Sequence, residues 1–405
     1  MFTHFDLEVF IHQYVTGRSQ SLFGFDLAHR QQDLNDAVKD RSVLVIGGAG
    51  TIGSAFVKAL LPYKPSRLFV VDTNENGLTE LTRDLRSTSG QYIPADYKTY
   101  PFNFGDKVFE KMYRHEGPFD IVAHFAAHKH VRSEKDRYSI EAMIENNVLR
   151  THRLLQLVAE KPPQRFFGVS TDKAANPVNV MGASKKLMEE VLLAYTNSIP
   201  ITTARFANVA FSNGSLPDGF LQRLAKRQPL SAPADVQRYF VSPQESGQLC
   251  LLACLLGSPG DIFFPKLPVS HMKTFSQIAI DLLAALGYLP LYCQSEEEAR
   301  QLAQAWTPDS PAYPVYFFTS DTSGEKPYEE FYTSTETIDL STFESLGVVK
   351  ARARYSLAAI QNFLQDLEQG FDKEEFTKND IIRLLTDILP EFSHLETGKG
   401  LDAKM

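Results

Sequence analysis

A glycine-rich turn directly after a short apolar run limits what this chain can fold into. Residues 43–46 predict a buried strand, and residues 47–53 follow it with glycines at positions 47, 48, 50 and 53. A helical pattern through about Leu61 and a second apolar run at 67–71 complete a β-α-β unit. Such a turn brings backbone amides and a helix N-terminus against a pyrophosphate, where any Cβ would block the approach. The sequence therefore predicts a dinucleotide-binding α/β domain.

The rest of the chain predicts the architecture around this unit. Further strands at 121–125, 166–169 and 201–206 indicate a Rossmann-like, doubly wound parallel sheet. The predicted division is a helical N-terminal extension at 1–40, a Rossmann domain at 41–212, a smaller substrate-binding region at 213–345 interleaved with it, and a helical C-terminal extension at 346–405. A chain of 405 residues is long enough for one large domain with such additions.

Charge and apolar patterning exclude several classes of protein. The net charge is -8, and Lys and Arg form no block that would follow a phosphate backbone, so the sequence predicts no nucleic-acid partner. The N-terminus lacks the features of a signal peptide and no run approaches about 18 apolar residues, which predicts a cytoplasmic protein without a membrane partner. Cys250, Cys254 and Cys293 have no histidine nearby in sequence, so they are interpreted as buried thiols and no metal site is predicted.

Residues after the second and third predicted strands are placed to hold the adenosine half of a dinucleotide. Asp72 ends the second strand, where a carboxylate accepts hydrogen bonds from the ribose 2′-hydroxyl and repels a 2′-phosphate. This favours NAD over NADP, although a neighbouring cation reverses such a preference, and a turn-capping aspartate is the alternative interpretation. Asn103 and Phe104 follow the third strand and are placed to contact the adenine edge.

Two short segments carry the predicted chemistry. Residues 170–173 (Ser-Thr-Asp-Lys) and 181–185 (Met-Gly-Ala-Ser-Lys) lie where nicotinamide enzymes keep a catalytic acid, a base and a ribose-binding lysine. In short-chain dehydrogenases the residue four positions before that lysine is normally a tyrosine, which takes the proton of the substrate hydroxyl. This chain has Met181 there. Either the proton chemistry is distributed differently, or it is absent.

Five ordered blocks, at 126–131, 170–185, 205–208, 238–240 and 324–330, carry a resemblance to a known family. Over most of residues 41–345 the chain closely resembles the extended short-chain dehydrogenases that act as nucleotide-sugar 4,6-dehydratases in bacterial polysaccharide and nonulosonic-acid biosynthesis. In that family Thr-Asp-Lys marks enzymes for N-acetylhexosamine nucleotides, and a subgroup has Met in place of the tyrosine, as at Met181. The chain departs from the family by its N-terminal extension, by lacking a membrane anchor and in residues 131–136, which leaves the choice of substrate open.

The resemblance implies a reaction and a role for each residue of the two segments. UDP- or GDP-N-acetylglucosamine is oxidised at C4, loses water across C5 and C6 and is reduced at C6, with NAD or NADP tightly bound and regenerated in every turnover. Lys185 is expected to bridge the nicotinamide ribose hydroxyls. Lys173 is the expected base at C5, its pKa lowered towards about 7 by enclosure and a second cation. Asp172 protonates the departing C6 hydroxyl. Thr171 hydrogen-bonds the C4 oxygen, and Asp172 or a bound water takes the C4 proton.

The resemblance also implies two sets of binding residues. Those expected to contact the cofactor are Gly47, Gly50, Thr51, Ile52, Gly53, Asp72, Asn103, Phe104, Ala126 and Lys185. Those expected to contact the nucleotide sugar are Lys129, His130, Asn208, Phe220, Arg238, Tyr239 and Glu325. In the second set, Asn208 is expected near the pyrophosphate, Arg238 clamps the diphosphate and Glu325 lies near the nucleotide ribose. Phe220 or Tyr239 covers the base. Solvated loop positions for Lys129 and His130, and an ordinary salt bridge for Arg238, are the alternatives.

Two other functions stay open. A 4-epimerase shares the C4 oxidation, but it needs neither Asp172 nor Lys173 and usually keeps the tyrosine. A non-catalytic nicotinamide-binding regulator would have no use for the acid, the base and Lys185, which are all retained. Retention at C5 is favoured over inversion, because Met-type members are associated with it. A homo-oligomer is expected, since in this fold the helices after Asn146 and around Met188 commonly pack against a partner.

Overall fold

The computed structural model describes residues 5–129, 134–321 and 326–394. Its strands are β1 Ser42–Ile46, β2 Arg67–Val71, β3 Asp96–Tyr100, β4 Ile121–His124, β5 Arg165–Val169, β6 Ile201–Ala204, β7 Asn208–Val209, β8 Leu230–Pro233, β9 Gln237–Arg238, β10 Phe240–Val241, β11 Asp261–Pro265, β12 Lys273–Thr274, β13 Leu289–Tyr292, β14 Ala312–Phe318, β15 Ile338–Asp339 and β16 Leu346–Lys350. The predicted strands of the N-terminal half are confirmed to within two residues at each end.

Over the described ranges, nine strands form the main sheet, in the order β15-β16-β11-β6-β5-β4-β1-β2-β3. The strands from β3 to β11 in this order are parallel, which confirms the predicted doubly wound sheet. The chain passes from β1 outwards to β3 and then returns to β4 on the other side of β1. This reversal places a crevice at the carboxyl ends of β1 and β4, where sheets of this kind bind their ligands.

Helices pack on both faces of the main sheet and in a smaller lobe beside it. They are α1 Leu7–Phe10, continued by a π-helix at Ile11–Thr16, α2 Gly24–His29, α3 Gln31–Val38, α4 Thr51–Leu60, α5 Glu75–Ser87, α6 Lys107–Glu116, α7 Arg137–Ile144, continued by a π-helix at Glu145–Leu149, α8 Arg150–Ala159, α9 Val180–Ala194, α10 Leu216–Ala225, α11 Pro243–Leu256, α12 Phe275–Ala285, α13 Glu296–Ala305, α14 Leu357–Phe371 and α15 Lys378–Ile388. Since side chains alternate along a strand, Val43 and Val45 join one buried layer while Leu44 and Ile46 join the other. Within the part of the chain that the structure describes, none of these helices is long and apolar enough to span a membrane.

A smaller lobe lies beside the main sheet. Strands β13, β14 and β8 form a parallel three-stranded sheet that shares a core with α10 and α12. The predicted N-terminal extension is helical, and its Phe10, Ile11 and Val15 complete this core. Farther along the extension, Arg18 forms a buried ion pair with Glu245 at 2.7 Å. The extension thus connects the lobe to α11 of the main domain.

The predicted helical C-terminal extension from residue 346 begins instead with a strand. β16 runs antiparallel to β11, and β15 runs antiparallel to β16, so the parallel sheet ends in an antiparallel edge. Leu346 and Val348 are buried in the core below the sheet. A Cβ on Gly347 would lie 2.2 Å from the Phe264 ring, so this glycine lets the strand approach its neighbour. The formation of a strand here therefore depends on close packing between β16 and β11, which the local sequence does not show.

The helical part of the C-terminal extension covers α9. Leu364 and Leu367 of α14 and Leu385 of α15 join the same core as Met188 of α9, and the side chain of Met188 is 1% exposed. The expectation that the region of Met188 packs against a partner subunit is therefore wrong for this conformation. A homo-oligomer through another surface stays a prediction.

Candidate active site

The glycine turn between β1 and α4 is shaped by two close backbone contacts. Gly47 has a φ of +80°, and a Cβ there would lie 2.4 Å from the amide nitrogen of Ala126. A Cβ on Gly53 would lie 2.2 Å from the carbonyl oxygen of Gly47. At Gly50 the nearest contact would be an ordinary 3.5 Å, so protein packing does not require this glycine. A bare Gly50 before the first turn of α4 instead fits a group that approaches from outside, such as a pyrophosphate.

Asp72 braces the same turn. Its Oδ2 accepts a hydrogen bond from the amide of Ala49 at 3.0 Å, and its Oδ1 accepts one from the amide of Asn74 at 2.9 Å. Asp72 therefore does cap the turn, as the alternative interpretation predicted. Each carboxylate oxygen has a second lone pair, which leaves capacity for ribose hydroxyls.

The other predicted cofactor residues lie around the crevice. Thr51 Oγ1 accepts a hydrogen bond from the amide of Asn213 at 3.0 Å. Asn103 Oδ1 accepts one from the amide of Gly105 at 2.8 Å. The Phe104 ring is buried and packs edge-on against His124 at a centroid distance of 4.7 Å, so its ring serves the core. Contact of Asn103 or Phe104 with adenine stays a prediction.

The segment after β5 joins three of the predicted catalytic groups by hydrogen bonds. Thr171 caps a short 3-10 helix at Asp172–Ala174. The Thr171 hydroxyl donates to Asp172 Oδ1 at 2.8 Å, and the Lys173 ammonium donates to the same oxygen at 3.0 Å. Asp172 is 5% exposed. The sequence prediction that these residues act together is consistent with this arrangement.

Two further charges complete a group that we call the charged cluster, formed by Asp172, Lys173, Arg238 and Glu329. Glu329 Oε1 lies 3.7 Å from Lys173 Nζ and 3.8 Å from Arg238 Nη2. Glu329 is 6% exposed and Arg238 is 4% exposed. Glu329 lies in the block 324–330 that carried the family resemblance, but its sequence position gives no sign of burial beside Lys173. Sequence reasoning missed it for that reason.

The charged cluster holds a proton on Lys173. Burial by itself lowers the pKa of Lys173, but the negative charges of Asp172 and Glu329 outweigh burial and the pKa is raised above its ordinary value. The predicted fall of the Lys173 pKa towards neutrality is therefore wrong in direction, because two carboxylates outweigh the neighbouring Arg238 cation. Burial raises the pKa of Glu329, and the charges of Lys173 and Arg238 oppose that rise.

Lys185 is the lysine whose pKa approaches neutrality. It is 4% exposed on α9, and its Nζ donates to the carbonyl oxygen of Val169 at 2.6 Å and lies 3.2 Å from Met188 Sδ. Burial lowers the pKa of Lys185 to about 7, against the opposing charge of Glu189. Met181, one turn earlier on the helix, is 3% exposed and has no proton to exchange.

A buried network of ion pairs and hydrogen bonds holds the catalytic segment in place. Arg205 is fully buried and donates from Nη2 to both Glu189 and Glu336 at 2.8 Å. Ser170, directly before Thr171, donates to Glu189 at 2.6 Å. Arg205 Nη1 also donates to the carbonyl oxygen of Phe331 at 3.0 Å. The network thus joins α9, the catalytic segment and the loop that carries Glu329.

The predicted substrate residues differ in accessibility. Phe220 is 1% exposed within the core of the smaller lobe, whereas Tyr239 is half-buried and packs on Phe331 at a centroid distance of 5.5 Å. Of the two rings proposed to cover the base, Tyr239 is the accessible one. Lys129 Nζ donates to the carbonyl oxygen of Asn213 at 2.9 Å.

The remaining predicted contacts are less direct. Arg238 Nη1 donates to the carbonyl oxygens of Gln237, Lys326 and Pro327, so its guanidinium faces the loop of Glu329. A diphosphate clamp at Arg238 stays a prediction, as does the place of Asn208 of β7 near the pyrophosphate. His130 and Glu325 lie outside the described residues.

Comparison with known proteins gives one family match. The model of a family described as "Polysaccharide biosynthesis protein" matches residues 43–351. An uncharacterized membrane protein of Methanocaldococcus jannaschii is 31% identical over 78% of this chain and 88% of its own length. The probable polysaccharide biosynthesis protein EpsC of Bacillus subtilis is 26% identical over 86% of this chain and 55% of its own. The chain therefore spans about half the length of that relative.

Further matches include two enzymes that are named for a nucleotide sugar. A UDP-N-acetylglucosamine 4,6-dehydratase (inverting) of Campylobacter jejuni is 27% identical over 56% of this chain and 67% of its own length. Among solved structures, Pen from Bacillus thuringiensis has a TM-score of 0.62 at 19% identity, over 82% of this chain and 98% of its own. A UDP-glucuronic acid 4-epimerase of Bacillus cereus, in complex with UDP-glucuronic acid and NAD, has a TM-score of 0.53 at 17% identity. The match covers 80% of this chain and 99% of that structure's chain. Both structures show the same fold.

Proposed function

Because this chain belongs to the polysaccharide biosynthesis protein family, we propose that it is a 4,6-dehydratase of an N-acetylglucosamine nucleotide. The proposed substrate is UDP- or GDP-N-acetylglucosamine, and the name of the Campylobacter jejuni relative favours the UDP form. The observation that carries the proposal is the hydrogen-bonded group of Thr171, Asp172 and Lys173 at the end of β5, in which Asp172 is buried and the other two residues are partly exposed. An acid and a base side by side are what elimination of water needs.

The residues of the glycine turn fit a nicotinamide dinucleotide. Gly50 leaves open space before the helix N-terminus of α4, and Asp72 retains acceptor capacity beside it. When bound, the nicotinamide supplies reversible hydride transfer. Lys185 would face its ribose. Asp72 favours NAD over NADP, because a carboxylate repels a 2′-phosphate.

Thr171 and Asp172 offer a proton path that replaces the missing tyrosine. The C4 hydroxyl gives its proton to the Thr171 oxygen while the Thr171 proton passes to Asp172 Oδ1, along the observed 2.8 Å hydrogen bond. Asp172 then gives that proton to the C6 hydroxyl as it leaves as water. Lys173 takes the proton from C5 and returns it when C6 is reduced. Each proton taken from the sugar thus has a named acceptor on this chain.

The reaction is tested by its product. Purified protein, without added cofactor, is incubated in deuterated water with UDP-N-acetylglucosamine and separately with GDP-N-acetylglucosamine, and the products are analysed by mass spectrometry. Loss of one water with one solvent deuterium gained at C5 is the expected result, and the nucleotide that reacts names the substrate. An isomer of unchanged mass would indicate a 4-epimerase. Recovery of both substrates intact would favour a non-catalytic, nicotinamide-binding protein.

A further inference from the structure

Glu329 is a buried charge that the proposed reaction does not yet use. Its Oε1 lies 3.7 Å from Lys173 Nζ and 3.8 Å from Arg238 Nη2, and both contacts are longer than a hydrogen bond. A carboxylate that is 6% exposed needs close partners to stay ionised at low cost. Asp172, by contrast, accepts hydrogen bonds from Thr171 and Lys173. Glu329 is therefore the less stabilised of the two carboxylates.

The charges that face Glu329 come from three parts of the chain. The catalytic segment presents Lys173 and Asp172, β9 presents Arg238, and the loop of Glu329 itself presents Lys326. Lys173 in turn faces Asp172, Glu329 and Arg238. With all four members ionised, the charged cluster is neutral. A bound diphosphate beside Arg238 would offset the cation that lowers the pKa of Glu329, and so favour a proton on Glu329.

The proposed base role of Lys173 conflicts with this arrangement, because only a neutral amine can take the C5 proton. Asp172 cannot receive the Lys173 proton without losing its capacity for the C4 proton that arrives through Thr171. Glu329 is the other carboxylate beside Lys173 Nζ. We propose that Glu329 takes the proton of Lys173 when the nucleotide sugar binds, so that a neutral Lys173 faces C5.

The proton balance of this step is complete, and it rests on the proposed function. One N–H bond of Lys173 breaks and an O–H bond forms on Glu329. The C5–H bond then breaks, its proton goes to Lys173 Nζ and its electron pair forms the C5=C6 double bond, while the C6 hydroxyl leaves as water with the Asp172 proton. Lys173 returns its proton to C5 when C6 is reduced. Glu329 keeps its proton throughout and acts through Lys173 as a positioning residue.

The test is the pH dependence of kcat in the Glu329→Gln variant, measured on the full chain by the rate of water loss from the sugar nucleotide. The amide that replaces the carboxylate cannot accept a proton, so Lys173 must release its proton to solvent. We expect kcat to be at least tenfold lower near neutral pH and to rise with pH, by up to about tenfold per pH unit, until Lys173 has lost its proton. Glu329→Asp, which keeps a carboxylate, should retain more of the neutral-pH rate than Glu329→Gln.

Glu330→Gln is the matched control. Glu330 is the next residue, is exposed, and accepts a hydrogen bond from Asn176 Nδ2 at 2.8 Å outside the charged cluster. Its variant should keep the pH profile of the unsubstituted chain. Three results for Glu329→Gln would overturn the inference: an equal fall of kcat at every pH, an unchanged profile, or a rate that rises at lower pH. If the unsubstituted chain eliminates no water, the proposed function fails and this inference fails with it.

Discussion

Thr171 is proposed to relay the C4 proton, because Met181 has no proton to exchange. Its hydroxyl donates to Asp172 at 2.8 Å, so Thr171→Val removes the proton path and keeps the shape. We expect kcat to fall by about 10²- to 10⁴-fold, the usual contribution of general acid or base catalysis. Thr171→Ser restores the hydroxyl and should keep most of the activity. The measurement is water loss from the nucleotide sugar under single-turnover conditions, and equal rates for the Val and Ser variants would contradict the relay.

The burial of Lys185 should make the free energy of unfolding depend on pH. Its pKa is about 7 in the folded protein and about 10.4 in an unfolded chain, so between these values the unfolded chain binds more protons. The free energy of unfolding therefore rises with pH across this window, by up to ~1.4 kcal/mol per pH unit, and the full cost of burial applies below it. Lys185→Met should be more stable than the unsubstituted chain near pH 7 and should lose this slope.

Urea unfolding of cofactor-free protein between about pH 7 and 9 checks the Lys185 prediction. Lys111→Met, an exposed position on α6, is the matched control and should keep the slope. Parallel pH curves for Lys185→Met and the unsubstituted chain would show that Lys185 is not neutral in the folded state.

At the scale of elements, one buried arginine joins three of them. Arg205 donates to Glu189 of α9 and to Glu336 beyond the loop of Glu329, and all of its side chain is buried. Arg205→Met leaves Glu189 buried beside fewer cations, which should lower the free energy of unfolding by about 3–5 kcal/mol. Arg83→Met on the exposed face of α5 should change it by less than about 0.5 kcal/mol. Chemical denaturation measures both, and similar values for the two variants would mean that the network contributes no net stability.

The elements also show how far sequence reasoning reaches in this chain. The strands around the glycine turn are readable because Val43 to Ile46 form an uninterrupted apolar run before glycines. β16 could not be predicted in the same way, because Gly347 interrupts its apolar run. Only the structure explains this glycine, since the Phe264 ring leaves no room for a Cβ there. The same holds for the candidate catalytic residues. Asp172 and Lys173 could be predicted to lie together because they are adjacent in the sequence. The burial of Glu329 next to them depends on a loop more than 150 positions away.

For the molecule as a whole, the C-terminal helices decide which surfaces are free. α14 covers α9 through Leu364, which is 2% exposed, so the helix that carries Lys185 is enclosed within the chain. If α14 folds as one unit with the main domain, Leu364→Ala leaves a cavity against α9 and lowers the free energy of unfolding of the whole chain. We expect a loss of about 2–5 kcal/mol in a single transition.

Gln365→Ala, at the next and exposed position of α14, is the matched control for Leu364→Ala and should stay within about 0.5 kcal/mol of the unsubstituted chain. Urea unfolding is followed by circular dichroism, for the whole chain, and by fluorescence of Trp306, which lies in the core of the smaller lobe. Coincident transitions, both shifted by Leu364→Ala, would show that the C-terminal helices and the smaller lobe unfold together. Two phases, of which only the first moves, would mean that α14 and α15 detach alone and that α9 becomes accessible before the sheet unfolds.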